Sequence, residues 1–467
     1  LSDTTRSRSR SSLVPGAGVD SDFALVADAG EAFLLRMATA RAARRSLDLQ
    51  YYIWDNDQVG RRLIWVVLEA ARRGVRVRLL LDHINQLGRD RNWATLNAHP
   101  NVEVRLFNPL RGRGLNLLRW LYRAPKLNRR MHNKAWIVDG EAAIVGGRNI
   151  SEHYFGVNAV TNFRDLDIYA DGPVAADTQE AFNRYWHSPL SVSLRQFRRR
   201  SSDDAEALWM SLDTEQRSRH RDDSVLSERT LQAVRARRVR APAALLFDSP
   251  EKAHGSPQRL MGTQLARLLG RHSAREILLE ASYFIPGDDF TRALSGWRKR
   301  GCRVAVLTNS LATNDVIAAH AAYQRYRPAL VDAGLELHEL QPNARSMMRQ
   351  ARLLRGRSKA SLHTKAMVLD RRELFVGSFN ADPRSVHFNT EMGYYIYSPS
   401  LAASVAAFIE EGMAPQNSYR LSREEGRLTW AGGSDQGPVV CHREPLVSIP
   451  RRLASAVLAL LPIENLL

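Results

Sequence analysis

A block reading Met131-His132-Asn133-Lys134-Ala135-Trp136-Ile137-Val138-Asp139, then Val145-Gly146-Gly147-Arg148-Asn149, recurs later in the chain. The second copy reads Leu362-His363-Thr364-Lys365-Ala366-Met367-Val368-Leu369-Asp370, then Val376-Gly377-Ser378-Phe379-Asn380. Counted from each His, a Lys falls two positions on, an Asp seven, a Gly fourteen, a small residue fifteen and an Asn seventeen, in both copies. One such pattern is weak evidence; two in matching places require a duplicated unit. The duplication extends outward. Leu47 to Ile53 (LDLQYYI) matches Leu279 to Ile285 (LEASYFI), and Arg73-Gly74-Val75-Arg76-Val77 matches Arg300-Gly301-Cys302-Arg303-Val304. Val102 to Pro109 matches Leu335 to Pro342. Short apolar runs alternate with helical stretches, and each Gly sits where a helix would end before the next strand. This order predicts an α/β chain of two pseudo-symmetric α/β/α sandwich repeats, with helices covering a largely parallel sheet. The expected division is a disordered leader over 1–18, a first repeat over 19–190, a connector over 191–242, a second repeat over 243–420 and a tail over 421–467.

The block carries the chemistry. In a strand, residues i and i+2 share a face, so His132 projects with Lys134 and His363 with Lys365. Imidazole serves near neutral pH as nucleophile or proton carrier, and two allow one of each. Lys134, Lys365, Asn149, Asn380 and the Ser378 hydroxyl would surround a phosphorus atom with charge and donors. Small Gly147 and Ser378 are expected to let the backbone approach a phosphate. This set can do without a metal or other cofactor, and none is expected. Two further carboxylates follow the blocks, Asp165 in FRDLDIYADGP and Glu391 in NTEMGYYI. A carboxylate accepting Nδ1–H would fix the imidazole tautomer and leave Nε2 free. Asp139 and Asp370 lie at strand ends and are expected to hold the turn or pair with a basic side chain, not to catalyse.

Net charge is +18, from 67 Lys and Arg against 49 Asp and Glu. Such an excess gathers anions, whether nucleic acid, anionic lipid or a phosphorylated metabolite. Arginine fills nearly every cationic position, and two of the six lysines fall in the repeated block. The two cysteines, Cys302 and Cys441, form no metal-ligand or disulfide pattern.

With its paired HxKx4D blocks, the chain resembles the phospholipase D superfamily, and within it the bacterial cardiolipin synthases, nearest the C-type branch. LDLQYYIWDND, RRMHNKAWIVDGEAAIVGGRNISEHYFG, LTNSLATNDVIAAHAAY, VGSFNADPRS and NTEMG carry the likeness, as does the terminal LPIENLL. The resemblance implies that both blocks meet at the repeat interface. It also implies ping-pong transfer of a phosphatidyl group through phosphohistidine, with His132 as nucleophile and His363 as the acid. Glu391 would then orient His132 and Asp165 would orient His363. The near-equivalence of the halves leaves that polarity open in the sequence, and the oligomeric state with it.

The same catalytic set also serves nucleases, so substrate class rests on other segments. Arg111 to Arg130 and Arg345 to Lys359 mix Arg with Leu, Met, Trp and Tyr just before each block. That mixture suits anionic phospholipid at a membrane surface better than a nucleic-acid groove. The expected reaction joins a phosphatidyl group to phosphatidylglycerol, the donor being phosphatidylglycerol or phosphatidylethanolamine. A phospholipase D hydrolase or a metal-independent nuclease is the alternative. The apolar end, Leu453 to Leu467, is read either as a membrane-surface segment or as a helix docked on the core, and the expected location is peripheral, on the bacterial inner membrane.

Overall fold

The computed structural model describes residues 19–109, 128–196, 200–216, 220–256, 260–271, 273–346, 358–434 and 437–461. The expected leader over 1–18 lies outside them, as do most of both Arg-rich segments and the final PIENLL. In the first repeat the strands are β1 (Val19–Val26), β2 (Ser46–Tyr51), β3 (Arg76–Asp82), β4 (Val102–Phe107), β5 (Ala135–Val138), β6 (Ala142–Gly146), β7 (Thr161–Arg164), β8 (Asp167–Asp171) and β9 (Ser191–Ser193). The second contributes β10 (Val239–Phe247), β11 (Glu276–Ala281), β12 (Arg303–Asn309), β13 (Glu336–Leu340), β14 (Lys359–Leu362), β15 (Lys365–Leu369), β16 (Glu373–Gly377) and β17 (Met392–Tyr397). β18 (Ser418–Glu424), β19 (Arg427–Ser434) and β20 (Gly437–Cys441) follow.

Local chemistry explains the boundaries. Asp57 caps the helix Gln58–Arg72 by accepting the Gly60 N–H at 2.8 Å. Val59, Leu63, Val66, Val67 and Ala70 bury one face of it against the sheet. The helix ends at Gly74 with φ of 95°, a left-handed position that a side chain would strain. Gly301, with φ of 84°, does the same before β12.

Within the first repeat the strand order is β1-β8-β6-β5-β2-β3-β4-β9, and within the second β10-β17-β16-β15-β11-β12-β13-β18. Within these two strand orders, parallel pairing is confined to β2-β3-β4 and β11-β12-β13. The expected largely parallel sheet is therefore a mixed one. Each catalytic block folds as a hairpin (β5-β6, β15-β16), and a tight two-strand connection can only be antiparallel.

β1 pairs antiparallel with β10, Ser21 opposite Ala241, fusing both sheets into one of eighteen strands among the described residues. A second link, β7 with β14, is parallel, with Arg164 opposite Leu362. Apolar side chains of both repeats share one buried cluster, among them Val145, Ile168, Tyr185, Val376, Met392 and Ile396. Thr178 and Tyr394 join across it by a 2.8 Å hydroxyl contact. Between the repeats, β9 extends the first sheet's edge beside β4, and two helices, Ser202–Gln216 and His220–Ala236, precede β10. The tail adds β19 and β20 to the second sheet and ends in a helix, Ile449–Ala459.

Candidate active site

Each HxK segment enters its strand beside a segment of the opposite repeat. The His132 N–H donates to the Thr390 carbonyl at 2.9 Å, and the His363 N–H to the Arg164 carbonyl at 2.8 Å. The residues that follow those carbonyls are Glu391 and Asp165. Backbone pairing thus delivers a carboxylate from one repeat to the imidazole of the other. His132 Nδ1 lies 2.9 Å from Glu391 Oε2 and 3.1 Å from Oε1. His363 Nδ1 lies 2.7 Å from Asp165 Oδ2. An ionised carboxylate only accepts, so the proton sits on Nδ1 and the lone pair on Nε2. Both imidazoles are buried yet reachable, 8% and 6% exposed.

Burial sets the electrostatics. It holds His132 well below the ordinary histidine range, reinforced by Lys134, Lys365 and Arg384. His363 is lowered likewise by burial, then by Lys365, Lys134 and His132. Each imidazole therefore feels the lysines of both repeats, as one shared centre requires. Neutral imidazole is the nucleophilic and basic form. Burial also raises Glu391 to about 7, opposed by Lys134 and by hydrogen bonds from Ser378 and Ser385. Asp165 is raised in the same way, opposed first by Lys365. Lys365 itself falls to about 8, through burial. Both lysine Nζ atoms donate to the carbonyl of the His two residues before them. That contact turns each ammonium inward, beside its own imidazole.

A buried, cross-paired His–carboxylate duplex flanked by two lysines suits nucleophilic displacement at an anionic phosphorus. The family described as cardiolipin synthase, phospholipase D-like domain, matches residues 37–186 and 269–412. Cardiolipin synthase C of Escherichia coli is 39% identical over 452 residues, 94% of each chain. The chain belongs to the cardiolipin synthase family of phospholipase D-like proteins. It is a phospholipase D-type phosphatidyltransferase. An uncharacterized Helicobacter pylori protein is 33% identical over 419 residues, 87% of this chain and 82% of that one. The fold is also that of a phosphatidylserine synthase from Haemophilus influenzae, with a TM-score of 0.59 at 14% identity, covering 85% of this chain and 87% of the other.

In this member of the cardiolipin synthase family, the remaining block residues support the pair. Gly147 does not offer its N–H to a phosphate, because it donates to the Leu166 carbonyl at 3.2 Å. A Cβ there would lie 2.1 Å from Asp165 Oδ1, so its smallness makes room for the carboxylate. Ser378, the matching residue, donates its hydroxyl to Glu391 and accepts the Met392 N–H at 3.0 Å. Both small residues thus serve the carboxylates. Asn149 accepts from the Ile53 N–H at 3.1 Å and donates to the Tyr154 hydroxyl at 2.9 Å, fixing the end of β2. Asn380 accepts from Ser282 at 2.8 Å, and its amide nitrogen has no partner among the described residues.

Asp139 and Asp370 make turn contacts at the ends of β5 and β15. Both sit in the left-handed region, with φ of 56° and 50°. The Asp139 carboxylate takes the N–H groups of Arg44, Arg45 and Ser46, and Asp370 takes those of Arg275 and Glu276. Each ties the catalytic hairpin to the start of the neighbouring strand. Partial burial pushes Asp139 up, but the three N–H donors hold it below the usual carboxylate range.

Tyr52, Tyr154, Ser385 and Arg384 escaped the sequence reading. The Tyr52 ring stands edge-on to His132 at 5.1 Å, and the Tyr154 ring edge-on to His363 at 4.8 Å. Ser385 Oγ donates to Glu391 Oε1 at 3.0 Å. Tyr154 and Ser385 share one offset from their respective histidines but differ in kind. Positions that differ in kind between the halves carry no repeat signal. Among the described residues no group of His, Cys, Asp and Glu is arranged to hold a metal.

Proposed function

We propose that the chain makes cardiolipin, transferring a phosphatidyl group to phosphatidylglycerol through a covalent intermediate on His132. The donor is a second phosphatidylglycerol or phosphatidylethanolamine. The observation that carries this reading is the pair of Nδ1–carboxylate contacts, one to each repeat's imidazole, at 2.9 and 2.7 Å. His132 Nε2 attacks phosphorus, the bond to the leaving alcohol breaks, and His363, protonated in the donor complex, gives that oxygen its proton. The anionic phosphate favours the imidazolium of His363 against burial. In the second half, His363 takes the proton of the acceptor hydroxyl, the new P–O bond forms and the P–N bond to His132 breaks. Lys134, Lys365 and the free Asn380 amide face the charge that grows on the phosphoryl oxygens.

The chain acts as a peripheral protein on the bacterial inner membrane. No helix among the described residues is long and apolar enough to cross a membrane. The terminal helix instead presents Ile449, Leu453, Val457 and Leu460 on one side, 70%, 62%, 60% and 85% exposed. Arg451, on the same helix, donates to the Leu311 carbonyl at 2.9 Å and to the Asn314 carbonyl. The Thr313 carbonyl in that loop receives the Ser361 hydroxyl at 2.7 Å, two residues before His363. An apolar stripe joined this directly to the catalytic segment suits insertion into the headgroup zone of an anionic bilayer, close to where lipid must enter. Purified protein with labelled phosphatidylglycerol, alone and with phosphatidylethanolamine, tests the reading. Labelled cardiolipin supports it, whereas phosphatidic acid alone assigns a hydrolase, and DNA cleavage without lipid turnover a nuclease.

A further inference from the structure

Among the described residues the buried arginines are matched to acceptors: Arg36 and Arg148 to Asp167, Arg78 to Asp48, Arg130 to Asp82, Arg164 to Glu280 and Arg327 to Glu339. Arg384 is not. It is half-buried, and its guanidinium makes no hydrogen bond or ion pair with any described residue. Its charge is felt at His132, Tyr52 and Asp382. The short helix that carries it, Pro383–His387, is firmly held. Asp382 accepts the Ser385 N–H at 2.6 Å, Lys252 Nζ donates to the Ser385 carbonyl at 2.8 Å, and the Ser385 hydroxyl reaches Glu391. A half-buried cation is thus carried by a well-anchored helix near His132, with no counter-charge bonded to it among the described residues. Such a cation is available to an anion that enters the site.

The position also breaks the pseudo-symmetry. Lys134 and Lys365, Asn149 and Asn380, and the two carboxylates all come in pairs, as a phosphorus shared by two equivalent halves requires. Counting from the catalytic histidines, the counterpart of Arg384 is His153, whose Nδ1 is taken up by the Thr161 carbonyl at 2.8 Å. A cation present on one side alone is suited to a group that approaches from one side alone. The transferred phosphate has its paired lysines already. The acceptor lipid brings a second phosphodiester, a glycerol's length from the attacking hydroxyl, and no paired residue is left for it.

We propose that Arg384 is the binding residue for the phosphodiester of the acceptor lipid, so that it selects an anionic phospholipid over an uncharged alcohol as acceptor. This rests on the phosphatidyltransfer reading above. The planar guanidinium fork matches two phosphate oxygens, which a lysine ammonium cannot do.

The test compares two acceptors with the full chain and one phosphatidyl donor. Transfer to labelled glycerol gives labelled phosphatidylglycerol, and transfer to phosphatidylglycerol gives cardiolipin. In Arg384→Gln, the ratio of cardiolipin formation to glycerol transfer falls by roughly tenfold or more, chiefly through a higher KM for the acceptor phospholipid. Arg384→Lys restores part of that ratio. Should both transfers change by the same factor in Arg384→Gln and Arg384→Lys, or neither change, Arg384 does not bind the acceptor phosphate and the proposal is overturned. Failure of the wild-type protein to form cardiolipin from phosphatidylglycerol would instead overturn the underlying reading.

Discussion

Glu391 is separated from His132 by most of the second repeat, yet both its oxygens lie within 3.1 Å of the imidazole Nδ1. The contact follows from backbone pairing, since the carbonyl of Thr390, one residue earlier, accepts the His132 N–H. Asp165 reaches His363 through the same geometry mirrored. Each histidine takes its carboxylate from the other half, so the two repeats build this site together.

Glu391→Gln keeps the shape but allows the amide to donate, which favours the wrong imidazole tautomer. Turnover should fall by roughly two to four orders of magnitude with little change in fold. Steady-state cardiolipin formation together with circular dichroism checks this; near-normal turnover would remove Glu391 from the orienting role.

Ser378→Ala tests how Glu391 is kept ionised. The Ser378 hydroxyl donates to the carboxylate and so stabilises its charged form, opposing the burial that raises it to about 7. Without that donor the Glu391 pKa rises further, and less carboxylate is ionised at neutral pH. The acidic limb of the activity profile should therefore move to higher pH, with activity recovering as pH increases. A profile that drops uniformly without moving contradicts this.

Gly147→Ala places a methyl group 2.1 Å from Asp165 Oδ1. The carboxylate must move, His363 loses its anchor, and turnover should fall by about a hundredfold. In the proposed mechanism His363 is the acid of the first half-reaction and the base of the second, so rapid-quench kinetics should show both slowed. Slowing of only one would point to a different role for Asp165.

Asp139→Asn separates the motif's structural residue from its chemical ones. Asparagine keeps an acceptor but loses the charge that the Arg44, Arg45 and Ser46 N–H groups meet, and the site is partly exposed, so the expected cost is about 1 kcal/mol of stability. Because its folded pKa is depressed, the contribution of Asp139 is present above the ordinary carboxylate range and is lost as pH falls through the lowered value. Urea denaturation at neutral and acidic pH measures both, and the difference between variant and wild type should shrink in acid.

What the sequence made legible was whatever the two halves share. His132 and His363, their lysines, the cross-paired carboxylates and the turn-holding Asp139 and Asp370 all recur at related offsets, and strand periodicity explains why His and Lys face one way. Sheet direction was less readable. A buried apolar run such as AWIVD looks the same in a parallel or an antiparallel ladder, and only the tightness of the Asp139-Gly140 turn signals a hairpin. The tasks of Gly147 and Ser378 were hidden because small size suits both a phosphate and a packed carboxylate. Tyr154 and Arg384 were invisible for the opposite reason: their counterparts, Ser385 and His153, are chemically different.

The central claim is that two imidazoles from separate repeats act on one phosphorus, with His132 as the covalent partner. Peptide mapping of the phosphoenzyme tests it most directly, using His363→Asn protein incubated with labelled phosphatidyl donor and denatured at high pH, where phosphohistidine survives. The account predicts an acid-labile label on the peptide containing His132, and none in His132→Ala. A label on His363 in otherwise wild-type protein, or full turnover in the absence of either imidazole, would contradict it.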